Sequence, residues 1–213
     1  MTSMMIPLKK SGLTEESNSQ SGFTLTEFMI TASILLVLSS AIFSLLTEIQ
    51  HAGSYQAEVQ MVLNNTRIAM QTAERYIRQA GNDPLDSGVA GITIVSAQEI
   101  QIRSDVTGSA GPGNPDKGDP DGDISDSGEN IAIRFNNRTQ SLEIVTEGGA
   151  AQIVAGSISG LSFQYFDAAG NRTATSSEVR KIGISISGAS LLPDPRTGRP
   201  FGVQLNSEIQ ISA

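Results

Sequence analysis

Between Phe28 and Thr47 the chain carries no charged residue: the run reads FMITASILLVLSSAIFSLLT. Twenty residues of helix rise about 30 Å, the thickness of a bilayer's hydrocarbon core. Neither Pro nor Gly interrupts the run. Ser33, Ser39, Ser40 and Ser44 can return their hydroxyls to carbonyls of their own helix, so they do not forbid insertion. A secretory signal looks different, with an apolar stretch of about 7–15 residues and a small-residue cleavage site behind it. Here the run is longer, no such site follows, and the helical pattern continues past it. Lys9 and Lys10 precede the run, which predicts a cytoplasmic N-terminus and an exported C-terminus. Glu15 and Glu16 oppose that bias only weakly, because acidic residues count for little in the rule.

After Thr47 the sequence turns polar but stays periodic. Tyr55, Val59, Val62, Leu63, Thr66, Ala69, Met70, Ala73, Tyr76, Ile77 and Ala80 recur at spacings of three and four, one face of a helix. Glu58, Asn64, Arg67, Gln71, Glu74, Arg75 and Arg78 take the other, and Glu74 and Arg78 form an i,i+4 pair in the favourable orientation. Gly81-Asn82-Asp83-Pro84 is a stop signal, and Gly53 is the one weak point inside. The predicted helix, from about Thr24 to Ala80, would be about 85 Å long. A domain of this size cannot bury it. One half must enter lipid or the core of an assembly, and the amphipathic half must pack on a globular head.

From Gly91 onward the period becomes two. GITIV, EIQIRS, ENIAIRF, SLEIVT, AAQIVA, LSFQYFD, VRKIGISIS and SEIQISA read as eight short strands. Turn signals separate them: Asn136-Asn137, Gly148-Gly149, Ala169-Gly170-Asn171 and Pro193-Asp194-Pro195. Ile131, Ile133 and Phe135 alternate with Ala132 and Arg134, as in an antiparallel sheet with one solvated face. The expected fold class is α+β. A long N-terminal helix, membrane-spanning in its first half, packs on a C-terminal antiparallel head built as a meander or as two sheets.

Charge narrows the function classes. The formal net charge is −8, and Lys9-Lys10 is the only Lys-Lys doublet, with no basic cluster among aromatics, so no nucleic-acid partner is expected. The chain has no cysteine, which excludes disulfides and thiolate metal sites. His51, the lone histidine, sits beside the apolar segment as a solvated or interfacial side chain, and no nucleophile–base pair forms around it. No catalytic residue is expected.

One polar segment stands apart. Residues 108–129 read GSAGPGNPDKGDPDGDISDSGE, with Asp116, Asp119, Asp121, Asp123, Asp126 and Glu129. Hard cations such as Ca²⁺ take six to eight oxygens from such groups. Asp119, Asp121 and Asp123 alternate around Gly122 and could wrap one ion, with Asp126 or Glu129 closing the shell. The frame is not an EF-hand: with Gly122 at position six, Lys117 and Gly128 would fall at the first and last ligand positions. The competing reading is a solvated loop in which Asp, Gly and Pro serve turn chemistry.

Immediately before the apolar run stands Ser21-Gly22-Phe23-Thr24-Leu25-Thr26-Glu27. It resembles the processing site of type IV prepilins and type II secretion pseudopilins, G-F-T-L-x-E followed by an apolar helix. The resemblance implies a leader of residues 1–22, cleavage between Gly22 and Phe23 by a membrane prepilin peptidase, and N-methylation of Phe23. It further implies that Glu27 pairs with the new N-terminal amine of a neighbouring subunit. Read from the residues alone, Thr24 and Glu27 also fit the S/T-x-x-E capping box, and the two roles are compatible. The mature chain would comprise a helix over 23–80 (28–47 apolar, 48–80 amphipathic) and a head over 85–213.

The helix tail IAMQTAERYIRQAGNDP and the order of strands, with GLSFQYFDAAGN before VRKIGISIS and a Pro-rich connector, are similar to PilW-like minor pilins and the related J-type minor pseudopilin. Major pilins often carry Gly and Pro where this chain has Leu36 and Ser44, which argues against a major subunit. The expected function is a minor pilin acting in filament assembly or initiation. A type II secretion pseudopilin and a membrane-anchored binding module are the alternatives. Expected partners are the prepilin peptidase, other major and minor pilins, the inner-membrane assembly platform, and membrane lipid before assembly. The expected location is the inner membrane, single-pass with the head in the periplasm, then the pilus.

Overall fold

The computed structural model describes residues 22–108, 118–146 and 149–211. The leader expected over 1–22 lies outside them except for Gly22, as do Lys9, Lys10, Asp116 and Lys117. The chain divides into two compact units, residues 1–48 and residues 49–213. One helix, α1 (Leu25–Gln79), contributes to both.

In the first unit α1 is exposed almost throughout. Its most apolar window has a mean hydropathy of 2.3, and none of that window is buried by the rest of the protein. Length and composition suffice to cross a membrane. The hydroxyls fold back as expected: Ser33 Oγ donates to Met29 O at 2.7 Å and Ser40 Oγ to Val37 O at 2.8 Å. Thr31 and Thr47 do the same toward Glu27 O and Phe43 O, both at 2.9 Å. Polar groups thus reach apolar surroundings already satisfied.

In the second unit α1 buries Val62, Thr66, Ala69, Met70, Ala73 and Ile77, the centre of the stripe read from the sequence. Small residues at 66, 69 and 73 let the sheets come close. Gly53 does not break the helix. The stop is where the sequence puts it: Gly81 takes φ +75°, which costs a glycine little, and its N–H donates to Arg103 O at 3.0 Å. Asn82 then ties the helix end to the sheet, its Nδ2 donating to Asp105 O at 2.8 Å. Asp83 accepts N–H groups from Ser87, Gly88 and Val89, and the Ser87 and Val89 bonds foremost hold its carboxyl down to about 2.

The head has two antiparallel sheets. Five strands form one meander in sequence order: β1 (Ile92–Ser96), β2 (Glu99–Arg103), β3 (Asn130–Asn136), β4 (Ser141–Thr146) and β5 (Gln152–Ala155). Three longer strands form the second: β6 (Ile158–Phe166), β7 (Lys181–Pro193) and β8 (Pro200–Gln210). Backbone bonds join the two sheets at turns, Phe163 N–H to Ala97 O at 2.8 Å and Ile158 N–H to Gln140 O at 2.9 Å. A single core takes Ile100, Ile102, Ile131 and Ile133 from one sheet and Ile158, Ile182, Ile184 and Ile186 from the other, all nearly inaccessible. Each such side chain contributes about 2 kcal/mol by leaving water.

The sequence reading is corrected in one region. The Pro-rich connector and a short last strand from Ser207 are instead one long hairpin. β7 runs on to Pro193, β8 begins at Pro200, and the two prolines face each other in the register. The ladder shifts register between Ala189 and Pro193 and resumes at that proline pair, where Pro is tolerated because it stands at a strand end. The turn between them is closed by Asp194 N–H to Arg199 O and Gly198 N–H to Asp194 O, both 2.8 Å.

Candidate functional site

The N-terminal motif is exposed. Phe23 is 81% accessible, and nothing lies within 4 Å of a Cβ placed on Gly22, so a protease meets no obstruction from the described residues. The helix start is closed by its own side chains. Glu27 N–H donates to Thr24 Oγ1 at 3.3 Å, and Thr24 N–H donates to Glu27 Oε2 at 3.4 Å. This is the reciprocal capping box, with Glu27 also favourably placed against the positive end of the helix dipole. The single chain therefore gives the Glu27 carboxylate local donors. A mature amine from a second chain would be a stronger, charged partner.

The acidic loop is built on two carboxylates that face inward. Glu129 has no accessible surface. Its Oε1 accepts the N–H groups of Val106 and Thr107, each at 2.9 Å, and its Oε2 accepts Asp126 N–H at 3.2 Å. Its own carbonyl accepts Ser104 N–H at 2.9 Å. Asp105 is equally buried, and its Oδ2 accepts Gly122 N–H at 2.9 Å. Gly122 takes φ +91°, which lets the loop turn over that carboxylate. The two side chains clip residues 118–129 to the segment after β2.

Of the five carboxylates expected to hold a cation, Asp121, Asp123 and Asp126 come together, one oxygen from each lying within 4.8 Å of the others. Asp119 is not in that group, and Glu129 is occupied by the three N–H groups. The outer arm has internal donors of its own: Asp123 N–H reaches Asp121 Oδ1 at 3.2 Å and Ser125 N–H reaches Asp123 Oδ1 at 2.8 Å. The Ser125 backbone bond is the main cause holding the Asp123 carboxyl below its ordinary range. The sequence does not single out Asp105, and it offers Glu129 only as one of two residues that could close a cation shell, whereas in the structure its carboxylate accepts three backbone N–H groups. The one available signal was its position next to the alternating run NIAIRF, where an edge residue can turn inward.

With this geometry in view, comparison with known families adds one match. Residues 17–43 fit the prokaryotic N-terminal methylation motif, which spans the expected cleavage site, Glu27 and most of the apolar run. No curated protein matches the chain. The matched motif, on an exposed helix start that leads straight into a charge-free helix, supports a type IV pilin-like protein, pilin or pseudopilin, anchored in a membrane by α1.

Proposed function

We propose that the chain is a minor pilin, a structural subunit that a prepilin peptidase cuts between Gly22 and Phe23 and that enters a type IV pilus from the inner membrane. The observation that carries this reading is the placement of Glu27. An acid sits at the mouth of a twenty-residue run that has no other charge, and the run is exposed along nearly its whole length. A carboxylate taken to the edge of hydrocarbon costs a few kcal/mol unless it is paired. The mature amine of the next subunit supplies the opposite charge where the acid needs it. Leu36 and Ser44, in place of the Gly and Pro common in major pilins, favour a minor subunit.

Two substitutions separate this role from capping. Glu27→Gln keeps a side chain that fits the capping box and removes the charge. Glu27→Leu removes both. Under the proposal both variants are cut normally, and both fall at least about tenfold in the sheared filament fraction, the change that about 1.4 kcal/mol carries. Wild-type incorporation of Glu27→Gln would show that capping is all the residue does.

A further inference from the structure

The β7–β8 hairpin runs along α1 toward lower residue numbers. Ser207 Oγ meets the Glu74 carboxylate, Gly188 abuts Thr66 and Val62, and the N–H groups of Leu191 and Leu192 donate to Glu58 Oε1. Phe201 shares a cleft with Gly53, Tyr55 and Val59. The tip beyond, residues 193–199, is therefore held at the end of the head nearest in sequence to the apolar run. Gly53 follows Thr47 by only six residues of chain.

This tip is unlike the rest of an acidic head. Leu191 is 88% exposed and Leu192 48%, beside Pro193 and Pro195. Arg196 and Arg199 are exposed, and among the described residues neither guanidinium has a hydrogen-bond or ion-pair partner. The nearby carboxylates are engaged elsewhere, Glu58 by the two leucine N–H groups and Asp194 by Arg196 N–H at 2.8 Å. Apolar side chains flanked by free guanidiniums match a phospholipid interface, where leucine enters the acyl boundary and arginine takes phosphate oxygens in a fork.

We propose that before assembly the β7–β8 tip docks on the anionic headgroup layer of the membrane that holds the apolar run. Leu191 and Leu192 enter the interface, and Arg196 and Arg199 bind lipid phosphates. The inference rests on the membrane-anchored reading of α1, and it gives the head a second point of contact besides the helix.

The chain has no tryptophan, so a single introduced one reports its own surroundings. Leu191→Trp, in the full chain reconstituted into vesicles of phosphatidylethanolamine and phosphatidylglycerol, is expected to emit at shorter wavelength than in detergent. Brominated acyl chains in those vesicles are expected to quench it. Ala168→Trp, on the exposed loop at the other end of β7, is expected to do neither. Arg196→Gln and Arg199→Gln, added to Leu191→Trp, are each expected to lower the docked fraction about fivefold, the effect of one basic residue at an anionic surface. Vesicles of phosphatidylcholine alone are expected to quench less.

If Leu191→Trp behaves like Ala168→Trp while the protein floats with the vesicles, the docking proposal fails and the anchor stands. If the protein does not float with them, the anchor itself fails. A blue shift of Leu191→Trp that arises only in assembled filaments would assign the tip to a neighbouring subunit and overturn the proposal.

Discussion

Glu129→Ala is expected to destabilise the head by about 3 kcal/mol, far more than any exposed acid of the same loop. The reason is the accounting of donors. The inaccessible Glu129 carboxylate satisfies the N–H groups of Val106, Thr107 and Asp126, and the alanine side chain offers none of them an acceptor. A buried or half-buried N–H left without a partner costs about 1–3 kcal/mol, less where water can follow it in. For a chain of this size the midpoint of thermal unfolding falls by about 2–4 °C per kcal/mol, so a drop near 10 °C is expected for the full chain in detergent, read by circular dichroism. Glu129→Gln keeps one oxygen for Val106 and Thr107 and is expected to lose about 1 kcal/mol. Asp121→Ala, on the exposed arm, is expected to stay within about 0.5 kcal/mol of wild type. Equal midpoints for Glu129→Ala and Asp121→Ala would remove Glu129 from its organising role.

Gly188→Ala is expected to be as costly for the opposite reason, too much volume in place of too few acceptors. A Cβ on Gly188 would lie 2.2 Å from Thr66 Oγ1, 3.0 Å from Val62 Cγ1 and 3.3 Å from Ser157 O. Neither Thr66 nor Val62 has accessible surface, and Thr66 Oγ1 is fixed by donating to Val62 O at 2.7 Å, so little can yield. Overpacking of this kind costs about 1–3 kcal/mol and sometimes more, and here it pushes α1 off β7. Thr66→Ala removes the nearest atom. The double variant is therefore expected to be more stable than Gly188→Ala alone, a coupling of the sign that neighbours in contact show. Additive losses, or an unchanged midpoint for Gly188→Ala, would mean that helix and hairpin are not packed this closely.

The two perturbations divide what was legible in the sequence from what was not. The stripe containing Val62, Thr66, Ala69, Ala73 and Ile77 is local, periodic and apolar, so it announces both the helix and its buried face, and Gly81 announces the end. The alternation in ITIV, IAIRF and IGISIS announces strands for the same reason. The partner of a given face is not local: nothing in the neighbourhood of Gly188 says that Thr66 will lie against it. β8 was curtailed because Pro193, Pro195 and Pro200 look like breaks, whereas two of them stand at strand ends where no ladder donor is needed. The loop hid its organisers for a related reason. Glu129 meets Val106 and Thr107 across 23 and 22 residues of chain, and until that closure is made the acids of such a segment read only as cation ligands or as solvated turn residues. The processing motif is contiguous, so Gly22, Phe23 and Glu27 could be named from sequence alone, and the exposed, capped helix start is consistent with them.

The central claim is that a helix with one acid at its mouth is released at Gly22 and takes its place beside others of its kind. Mass spectrometry of the N-terminal peptide, from protein recovered in the membrane fraction, tests it most directly. The account predicts a mature chain that starts at N-methylated Phe23, with residues 1–22 gone. A chain that keeps residues ahead of Phe23, or one cut at any other bond, would contradict it.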